Sequence, residues 1–85
     1  GTGGSAASAG GPTGAERRAA EKELSAVERR MGKLQSSIEK VHERMAEHDQ
    51  SDFEGLASLT QEQQGHEAEL AELEERWLEL SDTLE

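Results

Sequence analysis

The histidines and carboxylates are the side chains of this chain that could support chemistry, and their spacing indicates no catalytic centre. Glu39 and His42 form a Glu-x-x-His pair, which is the spacing of metal ligands in di-iron helical bundles. Such a site needs four helices that project ligands inward, whereas both residues lie off the apolar stripe of their helix. No arrangement of Ser, His and Asp points to nucleophilic catalysis. We therefore expect no catalytic residue, no cofactor-binding residue, no metal ligand and no enzymatic activity.

A glycine-rich segment at the N-terminus has the composition of a phosphate-binding loop, but no Gly-Lys-Ser or Gly-Lys-Thr follows it. The segment contains only Gly, Ser, Ala and Thr together with the chain's one proline, Pro12. Such a composition buries too little apolar surface to offset the entropy of ordering the backbone. We expect a disordered, flexible linker over residues 1–14.

The most regular pattern of charge is a row of six basic residues. They are separated by four, seven, four, seven and four positions: Arg18, Lys22, Arg29, Lys33, Lys40 and Arg44. Positions eleven apart on a straight helix lie within about 20 degrees of each other, which predicts one ridge facing away from a partner helix. The ridge has two interpretations. It forms a row of phosphate contacts along a nucleic acid backbone, or it is a solvated face neutralised by neighbouring glutamates.

Two series of large residues, spaced alternately three and four positions apart, dominate the rest of the chain. This spacing is typical of the a and d positions of a coiled-coil heptad, whose positions are lettered a to g. The first series is Leu24, Val27, Met31, Leu34, Ile38, Val41 and Met45. The second, with two polar members, is Leu56, Leu59, Gln63, His66, Leu70, Leu73, Trp77, Leu80 and Leu84. Because mostly polar residues separate the series, the sequence predicts an all-α fold, a two-helix antiparallel coiled-coil hairpin.

Capping patterns help to place the helix ends. Thr13 with Glu16 matches a capping box for the first helix, and Ser51 with Glu54 matches one for the second. We expect a coiled-coil domain at about residues 15–85, with helix 1 at about 15–48, a turn at about 49–51 and helix 2 at about 52–84.

Antiparallel packing places a positions opposite d positions and leaves two registers open, with Trp77 opposite either Val27 or Ala20. Charges along the flanks do not choose between them. The polar seam residues Gln63 and His66 help to fix a register at some cost in stability. A protonation switch at His66 is one interpretation, because an unperturbed histidine titrates near pH ~6.5. We favour the other, a seam histidine that reaches solvent or the carboxylate one turn earlier.

Two apolar residues lie beside the seam rather than on it. Phe53 is placed at the tip of the hairpin, where it either covers the end of the seam next to Met45 or Leu56, which we favour, or forms an interaction tip. Leu78 follows Trp77 and indicates an apolar surface patch near the open end of the hairpin, which is the end away from the turn.

The composition limits the class of protein. Eighty-five residues with 32% hydrophobic and 33% charged side chains suit one slender unit without a closed pocket. The absence of cysteine is typical of a reducing compartment, and no apolar run is long enough to span a bilayer. We expect a cytoplasmic, non-membrane protein that is a monomeric hairpin.

Three stretches have the pattern of a known family, at residues 15–24, 49–56 and 73–80. The last contains Glu-Glu-Arg-Trp-x-Glu-Leu, which is the most specific part of the pattern. In these stretches the chain resembles the C-terminal domain of ABC-F ATPases, especially the Uup-like branch, over about residues 15–85.

The resemblance implies a hairpin attached by a flexible linker after the second of two ATP-binding cassettes, in a protein without transmembrane segments. Members of that family act on ribosomes and translation, and in Uup-like proteins this domain is described as DNA-binding. ATP and Mg would then belong to the parent ATPase, because the cassette motifs lie outside this fragment. A DNA-binding version is expected to be basic, whereas the net charge here is -10, so binding should be weak at physiological salt.

We therefore expect a non-catalytic arm that touches DNA or ribosomal RNA along the basic ridge. An alternative is a protein-interaction or autoregulatory coiled coil, in which the acidic second helix docks on the parent cassettes or on a ribosomal protein. A third is self-association of the hairpin.

Overall fold

The computed structural model describes residues 13–85, so the predicted linker lies almost entirely outside the described residues. The chain forms two α-helices, α1 at Gly14–Glu47 and α2 at Phe53–Leu84, and the described part contains no strand. The helices run antiparallel and pack along their length, which confirms the predicted all-α hairpin. The connection, residues 48–52, is slightly longer than the predicted turn.

The core is a single seam between the helices. The buried residues of α1 recur at every seventh position and are all d residues: Ala20, Val27, Leu34 and Val41. The buried residues of α2, Leu59 and Leu80, are also d residues. Residues at a positions, such as Met31 and Trp77, are only half-buried, because two helices alone cannot cover both sides of the seam. The a row therefore remains partly open to solvent.

Trp77 identifies the register. Its indole Nε1–H donates to Oε2 of Glu28 at 3.1 Å, and Glu28 is the neighbour of Val27 in the chain. The ring packs against a buried cluster that contains Val27 and Leu80. Of the two registers that the sequence left open, these contacts select the one with Trp77 opposite Val27.

The start of α1 confirms Thr13 as the N-cap and shows one of the two hydrogen bonds that define the predicted capping box. Oγ1 of Thr13 accepts the backbone N–H of Glu16 at 3.1 Å and also donates its hydroxyl to the Glu16 carboxylate at 3.1 Å. One of the unpaired donors at the helix terminus is thereby satisfied.

The second predicted capping box is wrong. The N-cap of α2 is Asp52, whose Oδ1 accepts the backbone N–H of Gly55 at 3.1 Å. Ser51 instead donates its backbone N–H and its hydroxyl to Oδ1 of Asp49, at 3.0 and 2.7 Å. Because three capping-type residues lie within four positions here, the sequence alone did not show which one begins the helix. An aspartate also places negative charge at the positive end of the helix dipole.

Candidate functional site

Five of the six predicted ridge residues lie exposed on the side of α1 that faces away from the seam. We call them the outer basic face: Arg18, Lys22, Arg29, Lys33 and Lys40. Among residues 13–85, none of the five has a carboxylate oxygen within 4.0 Å. At a rise of 1.5 Å per residue, the face extends about 33 Å along the helix. A row of unpaired cations of this length can contact several phosphates of an extended backbone.

Arg44, the sixth predicted ridge residue, does not face away from α2. Its Nη1 donates to Oε2 of Glu62 at 3.0 Å. The cause is the geometry of the coiled coil. The positions that face the partner helix repeat every seven residues, whereas the ridge was predicted for a straight helix with 3.6 residues per turn. Relative to such a seam, a step of eleven residues rotates about the helix by about 50 degrees. The ridge therefore turns towards α2 at its C-terminal end, and Arg44 becomes part of the hairpin interface.

All three arginine–glutamate contacts between the helices lie on one flank of the seam. Arg30 donates Nε and Nη2 to Glu69 at 2.7 and 2.9 Å, and Arg76 donates the same atoms to Glu23 at 2.6 and 2.8 Å. Together with Arg44 and Glu62, these residues occupy the g position, immediately before an a residue. We call this edge of the hairpin the g flank. Sequence reasoning missed these partners, although their seven-residue spacing was a usable signal once the register was known.

The pairing on the g flank changes the ionisation of its members. Hydrogen bonds from Arg76 lower the pKa of Glu23, and those from Arg30 lower the pKa of Glu69. The same contacts raise the pKa of both arginines. The side chains stay roughly half-exposed, so water and salt screen the attraction. These contacts therefore specify how the helices align more than they add to stability.

The two helices differ strongly in charge. α1 carries eight basic and seven acidic side chains, whereas α2 carries one basic and nine acidic side chains. The net charges are thus +1 and -8. An anionic partner can approach the hairpin from the side of α1, while the side of α2 suits a cationic one.

The turn is held by local polar contacts. Nε2 of His48 lies 2.8 Å from Oδ2 of Asp52, while the other oxygen of that carboxylate caps α2. Gln50 donates its amide to the backbone carbonyls of Met45 and His48, at 3.0 and 2.9 Å, and so satisfies acceptors at the end of α1. A Cβ added to Gly55 would collide with the His48 ring and the Asp52 carboxylate. A side chain at position 55 would therefore have to displace the His48 ring or the Asp52 carboxylate.

Phe53 is the first residue of α2 and is 77% exposed. It does not cover the end of the seam, so the favoured interpretation of this residue is wrong. Its ring lies in solvent directly after Asp52, the residue that caps the helix. The interaction-tip interpretation stays a prediction.

Comparison with known protein families decides the identity of this hairpin. The family described as the ABC transporter C-terminal domain matches residues 16–82, which is most of the chain. The chain belongs to the ABC transporter C-terminal domain family. Comparisons with curated proteins and with solved structures find no match. The family consists of C-terminal domains rather than catalytic ones, so this ABC transporter C-terminal domain is a non-catalytic arm of an ABC-type protein.

The Glu-x-x-His pair lies on the surface of the ABC transporter C-terminal domain. Glu39 and His42 are both exposed, and residues 13–85 include no group of three His, Asp or Glu side chains placed to hold a metal ion. Neither helix of the described part combines the length and the apolar character that crossing a bilayer requires.

The two polar seam residues find their partners within α2. Nε2 of His66 lies 3.9 Å from Oε2 of Glu62, and the ring is half-buried, which confirms the favoured interpretation of this histidine. Gln63 donates to Oε2 of Glu67 at 3.4 Å. The register is therefore specified by the g flank and by Trp77.

Proposed function

We propose that this domain is the non-catalytic C-terminal arm of an ABC-F ATPase of the Uup-like branch. We propose further that it associates with nucleic acid, DNA or ribosomal RNA, through the outer basic face. The parent protein would be cytoplasmic, bind ATP and Mg in its cassettes, and act on translation, with the cassettes as a partner of the arm. Family membership supports the attachment to an ABC protein, and the resemblance at residues 15–24, 49–56 and 73–80 supports the ABC-F branch.

The observation that carries the nucleic-acid proposal is the division of the basic side chains between two roles. Three arginines are engaged with glutamates across the hairpin, whereas the five cations of the outer basic face have no carboxylate partner among the described residues. Arg18 and Lys22 are also like charges four positions apart, an arrangement that costs a helix a few tenths of a kcal/mol, roughly. A phosphate backbone would relieve this repulsion and release its own counterions.

The acidity of α2 limits the strength of this interaction. Only the α1 side presents unpaired cations, so the nucleic acid would lie along one side of the hairpin and avoid α2. Five phosphate contacts correspond to a slope of about -4 to -5 in a plot of log K against log salt for duplex DNA. Binding is therefore expected to be measurable at low salt and to weaken steeply towards physiological salt.

The test is a salt titration of binding by the full 85-residue chain. Fluorescence anisotropy with a labelled DNA duplex, a single strand and a ribosomal RNA hairpin compares the wild type with the Arg29→Glu, Lys33→Glu double variant. The variant should bind at least tenfold more weakly, with the salt slope reduced by about 2.

A matched control separates a local contact from the effect of overall charge. Each charge reversal lowers the net charge by two, so the double variant differs from the wild type by four charges. The same change can be made on exposed positions of α2 by four substitutions to glutamate: Ala57→Glu, Gln61→Glu, Gln64→Glu and Ala68→Glu. If this control lost as much affinity as the double variant, the outer basic face would not be the contact.

A second candidate function is favoured by the nine acidic side chains of α2. In this function the arm is an autoregulatory or protein-interaction element, and α2 docks on a basic surface of the cassettes or of a ribosomal protein. Changing Glu67, Glu74 and Glu75 to glutamine should then weaken binding to the purified cassettes, measured by calorimetry. Nucleic acid affinity should stay the same or rise in that variant.

A further inference from the structure

The flank opposite the g flank has a different chemistry. Its residues take the e position, immediately after a d residue: Glu21, Glu28, Gln35 and His42 on α1, and Thr60, Glu67, Glu74 and Ser81 on α2. We call this edge the e flank. It carries four carboxylates and no Lys or Arg, and no ion pair joins the helices there among residues 13–85. The e flank is therefore an edge whose negative charge is not neutralised by the hairpin.

An apolar groove opens on the same edge. It is lined by Met31, Glu74, Trp77 and Leu78 and has a volume of about 310 Å³. Leu78 is 59% exposed, and it is one of two large hydrophobic residues of the described chain left open to solvent. Trp77 is half-buried, with its polar N–H already bonded to Glu28. The surface that a partner can reach on this side is therefore apolar. It consists of the Trp77 ring and neighbouring apolar side chains, and carboxylates border it.

We infer that this groove is a docking site for a basic amphipathic helix that inserts one large apolar side chain between Trp77 and Leu78. Lysines or arginines on either side of that anchor would meet Glu74 and the other carboxylates of the e flank. The occupant is chosen by charge complementarity, because an acidic or neutral apolar segment would leave the four carboxylates unpaired. The inference deepens the second candidate function by naming its surface and partner, and it does not depend on the nucleic-acid proposal.

The a residues of the seam are only partly buried, so they leave room for a third helix to pack against them. In a two-stranded coil the a residues keep one side exposed, and a further helix can cover it in the manner of larger helical bundles. The g flank is closed by three arginine–glutamate contacts, so the third helix enters from the e flank. A large apolar anchor in a pocket, surrounded by a polar rim, is also the usual anatomy of a protein interface.

The experiment uses Trp77, the one tryptophan of the chain, as the reporter. The probe is a synthetic amphipathic helical peptide of Lys and Ala with a single central Leu. It is titrated into the full 85-residue chain, and Trp77 fluorescence is recorded. We expect saturable binding with a blue shift of the emission. A peptide with the Leu replaced by Ser should bind at least tenfold more weakly, and a peptide with Glu in place of Lys should not bind.

Variants of the chain locate the site. Leu78→Ser and Glu74→Lys should each weaken binding of the Leu peptide by tenfold or more, since both residues line the groove. Phe53→Ser is the matched control, because it removes the other exposed large hydrophobic residue at the opposite end of the hairpin. Circular dichroism establishes that each variant stays helical. Binding by Phe53→Ser should equal that of the wild type.

Three results would overturn the inference. The first is equal binding of the Leu and Ser peptides, which would reveal attraction by net charge alone. The second is an equal loss in Phe53→Ser and Leu78→Ser. The third is doubling of the mass of the free chain in sedimentation that Leu78→Ser abolishes, which would make a second copy of this chain the occupant. None of these readouts involves nucleic acid, so failure here leaves the outer basic face untouched.

Discussion

Arg76 of α2 and Glu23 of α1 form a two-point hydrogen bond across the hairpin, although 53 residues separate them in sequence. Both nitrogen–oxygen distances are below 2.9 Å, and the pair lies at the open end, where both chain termini of the described part emerge. A planar guanidinium fork matches a carboxylate in only a narrow range of orientations. The pair therefore fixes the alignment of the helices where fraying would otherwise begin.

Exchanging the charges of this pair tests that role. Glu23→Arg alone should lower the melting temperature by a few degrees, because two guanidinium groups would then face each other. Adding Arg76→Glu should restore most of the loss. Glu21→Arg is the control, since it makes the same charge change at an exposed residue without a partner on α2. No restoration in the double variant would mean that the pair does not align the helices.

Leu34 tests the seam. It is only 1% exposed, and Leu34→Ala should lower the free energy of unfolding by about 2 to 5 kcal/mol through lost burial and an unfilled cavity. Leu78→Ala, at a 59% exposed position, should change it by about 0.5 kcal/mol or less. Urea denaturation followed by far-ultraviolet circular dichroism measures both. Equal effects of the two substitutions would contradict the assignment of Leu34 to the core.

Two helical glycines predict different outcomes for the same substitution. Gly65→Ala should raise the stability by up to about 1 kcal/mol, because a Cβ there meets nothing and alanine favours the helix. Gly55→Ala should gain less or lose stability, since its Cβ displaces the His48 ring from Asp52. In the Gly55→Ala background, a further His48→Ala change should have no effect. Thermal melts of the cycle decide this, and full additivity would show that a Cβ at position 55 does not disturb His48.

Asp52 predicts a pH dependence of stability. The hydrogen bond from the Gly55 backbone, followed by that from His48, lowers the pKa of this carboxyl below its ordinary value of 3.8. A carboxyl with a lowered pKa in the folded state stabilises the fold above its unfolded pKa, and this contribution is lost as the pH falls through the folded value. Asp52→Asn keeps a capping oxygen but cannot ionise.

The excess stability of the wild type over Asp52→Asn should thus be constant down to about pH 4 and disappear at lower pH. Melting temperatures between pH 6 and pH 2, roughly the window set by these ionisations, measure it. Asp82→Asn at the exposed end of α2 serves as the comparison, because the carboxylate of Asp82 forms no hydrogen bond within the described chain. An unchanged difference at pH ~2 would exclude ionisation of Asp52 as the cause.

The helical hairpin was predictable because its determinants are local and periodic. The apolar residues of both series recur at heptad spacing, and one polar interruption separates them, so the fold class followed from pattern alone. The register did not, because it depends on which glutamate the Trp77 indole and each arginine can reach. The helix cap at Asp52 was likewise hidden among neighbouring residues with similar capping ability.

The candidate site was predictable only in part, for a geometric reason. The basic residues were placed on a straight helix, which put Arg44 in line with Lys40. A helix packed along a seven-residue seam rotates that line, so Arg44 meets Glu62 instead. Phe53 was expected to shield apolar neighbours, but it is the first residue of α2 and lies in solvent. For Arg44, a contact between the two helices decided what the spacing left open.

The position of the turn gives the arm mechanical leverage. The 34 residues of α1 form a helix about 50 Å long, so Phe53 lies about that far from the N-terminal end of α1. A tilt of about ten degrees at the base would sweep the aromatic tip through about 9 Å. A modest rearrangement in whatever protein holds the base would therefore be magnified into a displacement wider than an aromatic ring at the far end.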